Sequence, residues 1–217
     1  MGKYIKKLKE KDVGSIGIGA MIVFIAMVLV AGIAASVLIQ TSTTLESQAM
    51  ATGQETTAEV SSGLEVVNIE GVKNGSYITL LAITVRARAG SADIDLAETV
   101  IELSDSETKN FLTYDDTTYT APGGVDGNVF TFSNYTETGT QFSIIVLEDA
   151  DSSCQSASAA VINSGDYVVL GVNTSACFSG GLSPRDDVWG LVLPEEGSPG
   201  VINFKCPASF TDTVFEL

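Results

Sequence analysis

Closely spaced carboxylates are the groups in this 217-residue sequence whose pattern could bind a metal or do acid–base chemistry. Asp93 and Asp95 lie two residues apart, as do Asp149 and Asp151. Because hard cations such as Ca²⁺ take oxygen ligands, we predict either pair as candidate ligands of a structural calcium ion. The competing interpretation is that they are solvated turn residues at the ends of predicted strands. No other cofactor is predicted.

Enzymatic catalysis is disfavoured because the chain contains no histidine. Histidine is the commonest general base near neutral pH, so its absence removes His-dependent triads and metal sites. The glycine pairs at 17–19 and 123–124 lack the strand, the spacing and the following lysine of a phosphate-binding loop. We therefore predict that the chain is not an enzyme.

Three cysteines, at positions 154, 177 and 206, are too few and too far apart for a zinc knuckle or a disulfide scaffold. One disulfide between Cys154 and Cys177 is predicted, with Cys206 free and buried. The alternative is that all three are small residues of the core, as free cysteines often are.

The charge distribution is strongly acidic outside the first 14 residues. The whole chain has a net charge of −16, and residues 15–217 hold six basic against 25 acidic residues. Nucleic acid is excluded as a partner, because a binding surface for phosphates needs clustered Lys and Arg. The acidity instead favours solubility and self-repulsion.

Three sequons indicate glycosylation of an exported chain. Asn74-Gly-Ser, Asn134-Tyr-Thr and Asn173-Thr-Ser each match the N-glycosylation pattern. The pattern is short and common, but three matches in a Ser- and Thr-rich chain predict that at least one asparagine carries a glycan.

An uncharged apolar run extends from Ser15 to Ile39 behind a lysine-rich flank. Its length exceeds the roughly 7 to 15 residues of a secretory signal core. As a helix it would be about 37 Å long, enough to cross a hydrocarbon core of ~30 Å. The basic flank should stay in the cytoplasm, which places everything after Ile39 outside.

The helical pattern continues past the apolar run, because residues 40–62 contain no proline and Gly63 is a suitable terminator. A helix of about 45 residues, near 70 Å long, is longer than one anchor requires. Since it is apolar on every face, it must be buried in lipid or among other helices. We predict that it lies first in the membrane and then in a protein core. The predicted core-facing residues are Ile18, Ile22, Phe24, Ile25, Val28, Leu29, Ile33 and Leu38.

Beyond Gly63 the sequence consists of short β-branched runs separated by turn residues, a pattern typical of an all-β sandwich. The predicted fold class is α+β, a long hydrophobic N-terminal helix followed by an all-β domain. The predicted regions are a leader (1–14), a helix (15–62) and an exported β-domain (63–217). The predicted strands cover residues 64–72, 77–88, 98–104, 110–115, 128–133, 141–148, 166–173, 187–193 and 201–207.

The segment VGSIGIGAMIVFIAMVLVAGIAASVLIQTS (13–42) resembles the N-terminus of archaeal flagellins, or archaellins, which are type IV pilin-like filament subunits. Residues 85–104 and 185–217 resemble the mid-domain segment and the closing strands of that family. Bacterial type IV pilins carry a glutamate at the fifth mature position, where this sequence would have Gly19. The difference favours an archaellin.

The resemblance implies a maturation and assembly route. A prepilin-type aspartyl peptidase would cut the class III leader between Gly14 and Ser15, although Asp12 and Val13 stand where a basic residue often precedes the glycine. The helices of this chain, alone or with other archaellins, would then pack into an extracellular archaeal flagellum filament that rotates as a motility propeller. A membrane-held precursor, an assembly ATPase and a membrane platform are implied, as is an Ig-like sandwich for the exported domain.

Two other functions remain open. An archaeal type IV-like adhesion pilin would give attachment defects with intact swimming when lost. A membrane-anchored enzyme or binding protein would keep its activity after deletion of residues 15–62.

Overall fold

A computed structural model describes residues 2–125 and 127–217, with the side chains of residues 2–13 and of Phe132 left undescribed. The chain divides after Gln54 into two compact units. The first unit is helical, and the second contains the end of that helix and all of the described strands.

Helix α1 covers Gly2–Ser61. It therefore begins within the leader rather than near Ile16, and it ends one residue before the predicted limit of 62. Hydroxyl side chains near its middle bond back to carbonyls of the preceding turn, for example Thr44 Oγ1 to Gln40 O at 2.8 Å. Because these donors are satisfied within the helix, the polar part continues the apolar part without a break. Among the described residues, one helical segment, 14–61, is long and apolar enough to span a membrane.

The second unit is rich in β-sheet, which confirms the predicted fold class. The strands are β1 Leu64–Asn74, β2 Tyr77–Ala87, β3 Ile94–Asp95, β4 Val100–Ser104, β5 Lys109–Thr120, β6 Gln141–Glu148, β7 Cys154–Ser156, β8 Ala159–Ile162, β9 Tyr167–Asn173, β10 Asp187–Leu193, β11 Gly200–Lys205 and β12 Val214–Glu216.

Nine strands hydrogen-bond in the order β11-β10-β4-β5-β6-β9-β2-β1-β12, and β3, β8 and β7 form a small separate sheet. All described pairings between these strands are antiparallel except β5 with β6, which is parallel. A bridge between Gly63 and Ser198 joins the start of β1 to the segment before β11. A short helix α2 covers Thr174–Cys177.

The strand predicted at 128–133 is wrong. The segment forms turns and a 3₁₀ helix at Phe132–Asn134. Asn128 starts a local turn, since its Oδ1 accepts from Phe130 N at 3.1 Å. Val129 and Phe130 cover a second apolar cluster that contains Tyr135. The apolar residues that predicted a strand therefore cover one face of the sheet instead.

The main core lies between the inward faces of the nine-stranded sheet. Strands β2, β6 and β9 are buried on both faces, because one face joins the main core and the other lies under a cluster that includes Val129, Phe130 and Tyr135. Strand β6 illustrates the division: Phe142 and Ile144 belong to the main core, and Ile145 belongs to the second cluster. Because both faces are buried, the sequences of these strands are continuous apolar runs rather than alternating ones.

The predicted Cys154–Cys177 disulfide is wrong, because all three cysteines are free thiols. Cys154 begins β7 and is fully buried in the main core, as is Cys206. Cys177 ends α2, where its Sγ donates to Gly139 O at 3.3 Å. The alternative, three small core thiols, describes the structure better. Burial raises the pKa of Cys154 to about 11 and the pKa values of Cys177 and Cys206 to about 12.

These thiols should resist alkylation while the protein is folded. The thiolate is the reactive form, and pKa values raised this far leave almost none at neutral pH. We expect no added iodoacetamide mass on the native chain at pH 7 and three additions after denaturation without reductant. A denatured chain that accepts only one addition would establish a disulfide and contradict the free-thiol assignment.

Gly190 should be irreplaceable in β10. A Cβ at this position would strike the carbonyl oxygen of Glu102 in β4, which is backbone and cannot move aside. We expect Gly190→Ala to lower the free energy of unfolding by about 3 kcal/mol through overpacking. Denaturant unfolding in detergent, followed by tryptophan fluorescence, measures the change. Gly53→Ala, at a site with no described atom near the new Cβ, is the matched control and should leave the β-domain's midpoint unchanged; equal midpoints for both variants would contradict the clash.

Candidate functional site

The surface of helix α1 is the first candidate site, because the chain itself does not cover it. The eight predicted core-facing side chains are all between 53% and 68% exposed. A soluble domain rarely exposes so much contiguous apolar surface without a partner. Gly17, Gly19 and Gly32 leave open space where a Cβ would stand, so another helix could approach closely. This surface can be buried in lipid or among copies of itself.

The predicted cleavage bond lies within α1. Gly14 and Ser15 are both exposed and helical, with the lysine-rich segment on one side and the apolar run on the other. The predicted bond therefore lies at the boundary between the basic and apolar parts of the helix.

The three sequons differ in accessibility. Asn74 is exposed at the β1–β2 turn, and Asn134 is half-buried in the 3₁₀ helix. Asn173 is only 4% exposed and caps α2. Its Nδ2 donates to Thr136 O at 3.0 Å, and its Oδ1 accepts from Ser175 Oγ at 2.6 Å. A glycan on Asn173 would disrupt these buried bonds, so the folded structure is at odds with this predicted acceptor.

One group of acidic side chains in the described part of the chain has metal-ligand spacing, and it contains one of the two predicted pairs together with a third residue that was not predicted. Carboxylate oxygens of Asp149, Asp151 and Asp166 lie within 4.8 Å of one another. Asp93 and Asp95 are not in this group; Asp95 instead accepts from Ala97 N at 2.8 Å in a local turn. Sequence reasoning missed Asp166 because it joins the group only through the pairing of β6 with β9.

Donors from the protein already satisfy this acidic group. Buried Asp166 accepts from Ala150 N at 2.9 Å and from Asn163 N at 3.0 Å. Asp151 accepts from Ser153 N at 3.0 Å and from the Asn163 side chain at 2.7 Å. Hydrogen bonds from Ser153 and Asn163 lower the pKa of Asp151. The group therefore ties together the loops around β6 and β9, and calcium binding by it stays a prediction.

A second apolar surface, which sequence reasoning missed, lies on the outward side of β5, β4, β10 and β11. We call it the Trp189 face. It consists of two cross-strand rows, in which register places residues from four strands side by side. One row is Val201, Leu191, Glu102 and Phe111, and the other is Asn203, Trp189, Ser104 and Lys109. Apolar residues at alternate positions of β10 and β11 were a visible signal of such a face.

An ion pair lies beneath the rings of the Trp189 face. Lys109 Nζ is 2.6 Å from Glu102 Oε1, and only 11% of the Glu102 side chain is exposed. The same ammonium lies 5.4 Å from the ring centre of Phe111 and 5.7 Å from that of Trp189, within the range of cation–π attraction. The pair neutralises the buried carboxylate, and both rings lie next to the ammonium.

Comparisons with known proteins cover nearly the whole chain. The sequence profile of the family described as archaeal-type flagellin matches residues 14–204. Flagellin B2 of Methanocaldococcus jannaschii is 46% identical over 97% of this chain and 96% of its own length. Flagellin B3 of Thermococcus kodakarensis is 36% identical over 95% and 98%, respectively.

Solved structures give the same result. The crystal structure of archaeal flagellin FlaB1 from M. jannaschii aligns with a TM-score of 0.65 at 36% identity, covering 71% of this chain and 96% of that chain. The archaeal flagellum of Methanospirillum hungatei strain JF1 aligns with a TM-score of 0.64 over 91% and 98%; at 15% identity it supports the fold alone. From its apolar helix through its closing strands, the chain belongs to the archaeal-type flagellin family.

Proposed function

We propose that helix α1 is the element through which this subunit of the archaeal flagellum filament polymerises to form a motility propeller. The observation that carries the proposal is the unpartnered apolar surface of the helix, with every predicted core-facing side chain more than half exposed. Burial of such a side chain contributes roughly 1.5 to 3 kcal/mol. The gain recurs at each subunit, so it can stabilise a long polymer. The subunit's role is structural rather than catalytic.

Self-association of this kind gives a filament when the contact is heterologous. An interface that joins two different surfaces and does not close on itself generates an open helical polymer. Other archaellins with similar apolar helices could occupy the same positions. An adhesion pilin is the weaker alternative, because the family profile and the relatives are flagellins.

Removal of the leader prepares the helix for burial. The first 14 residues hold five lysines, which would be attached to the end of α1 in an uncleaved subunit. An unpaired ammonium is very unfavourable inside an apolar bundle, whereas at a membrane surface it stays hydrated. We therefore propose that the uncleaved precursor lies in the membrane, and that a prepilin-type aspartyl peptidase cuts between Gly14 and Ser15 before assembly.

Transfer from lipid to filament calls for outside partners. The sequence holds no phosphate-binding loop, so the chain has no evident means of coupling nucleotide hydrolysis to its own movement. We propose that an assembly ATPase and a membrane platform move processed subunits into the growing filament. The final location is extracellular, since the acidic β-domain follows an apolar segment with a basic cytoplasmic flank.

Gly14→Leu should block processing. Leucine is a good helix former, so the change leaves α1 intact while it places a bulky side chain at the cleavage bond. We expect the full-length precursor to accumulate in the membrane fraction and filaments to disappear, as measured by immunoblotting of cell fractions and electron microscopy. Asp12→Ala, two residues upstream, is the control and should retain cleavage. Normal filaments from Gly14→Leu would rule out this processing scheme.

Glycosylation should follow accessibility rather than the sequon pattern. We propose Asn74 and Asn134 as acceptors and expect Asn173 to be unmodified, because its side chain is used within the fold. Mass spectrometry of sheared filaments should find added mass on peptides with Asn74 or Asn134, and Asn74→Gln or Asn134→Gln should remove it. Asn128→Gln, outside any sequon, is the control. A glycan on Asn173 in assembled filaments would refute the accessibility argument.

A further inference from the structure

We infer that the Trp189 face is covered by a second copy of this chain in the assembled filament. The inference rests on the proposed polymerisation, and it adds a contact between β-domains to the contact between helices. Phe111, Trp189 and Val201 are 54%, 47% and 63% exposed, respectively. The two half-exposed rings alone offer on the order of 100 Å² each, and contiguous apolar patches of several hundred Å² are often functional on soluble domains.

The paired charges of the Trp189 face favour it as the surface where two acidic β-domains make contact. Residues 63–217 contain six basic and 22 acidic residues, a net charge of −16, so two β-domains repel each other over most approaches. On the Trp189 face, however, Glu102 is paired with Lys109, and Asp187 at its border is 2.8 Å from Lys205. The charges of this face therefore cancel, and contact there carries little of the general repulsion.

The face is also pre-organised for a macromolecular partner. Lys109 is held by Glu102 and by both rings, so less side-chain freedom is lost on binding than for isolated exposed residues. Aromatic residues are typical of the central part of a protein interface. The surface is a regular sheet face rather than a cleft, which fits another protein domain better than a small molecule.

Glycans are a poor alternative occupant. The face is built from β4, β5, β10 and β11, and all three sequons lie elsewhere, at the end of β1, in the 3₁₀ helix and at the end of β9. A second copy is the partner that polymerisation brings to every subunit. Because an open filament requires heterologous contacts, the Trp189 face must meet a different surface of the next copy.

Trp189 is the chain's sole tryptophan, so its fluorescence reports on this face without a label. The experiment is acrylamide quenching of intact filaments of this chain, compared with the same subunits dispersed in detergent. A covered interface centre excludes water and quencher, so we expect the quenching constant to be about threefold smaller or less in filaments. Equal quenching in the two states would overturn the inference.

A charge placed on the face gives an independent measurement. Val201→Asp adds an unpaired carboxylate to an exposed position of the face, and Val67→Asp makes the same change at an exposed position of β1. We expect Val201→Asp filaments to dissociate at a lower temperature than wild-type filaments, with Val67→Asp as the matched control and with unchanged unfolding of the dispersed subunits. Equal filament stability for Val201→Asp and wild type would contradict the contact.

Two outcomes distinguish the contact between β-domains from polymerisation through the helices. Filaments that contain the chain but leave Trp189 open to acrylamide would reject the second-copy contact and keep helix polymerisation. Absence of the chain from filaments would reject both.

Discussion

An apolar helix that the chain cannot bury is the constraint on which the rest of this protein depends. Helix α1 presents more than half of each core-facing side chain to its surroundings, and no face of its apolar run is polar. The free subunit therefore has two acceptable environments, lipid and other helices. In the scheme proposed above, the basic leader favours the first, and its removal makes the second possible. The proposed membrane insertion, processing and polymerisation thus all depend on one surface.

The β-domain, unlike the helix, must remain exposed to solvent, although the packed helices hold neighbouring β-domains close to it. A net charge of −16 over residues 63–217 opposes close contact between domains. The Trp189 face offers a local solution, since its acidic side chains are paired and Phe111, Trp189 and Val201 expose apolar surface there. Acidity elsewhere would prevent irregular association, and the neutral face would allow the contact that a filament repeats.

Sequence periodicity predicted the long helix and eight of the nine proposed strands, because both patterns extend over enough residues to be distinguished. Strands β3, β7 and β8 have only two to four residues, too few for alternation to be visible. The segment at 128–133 was wrongly predicted as a strand. Val129 and Phe130 are apolar because they pack over a neighbouring cluster, not because they belong to a sheet. Local pattern cannot distinguish that role from a strand.

The candidate sites were harder to predict than the fold because they depend on register. Asp166 joins Asp149 and Asp151 only once β6 pairs with β9, and the Trp189 face exists only because four strands align their outward residues in rows. Asn173 shows the converse, a motif that is present in the sequence but whose side chain is already used. Its sequon is intact, yet its amide caps α2 and donates a hydrogen bond to Thr136 O. A motif states which chemistry a side chain can do. Whether the side chain is free to do it is decided by hydrogen bonds to residues distant in the sequence.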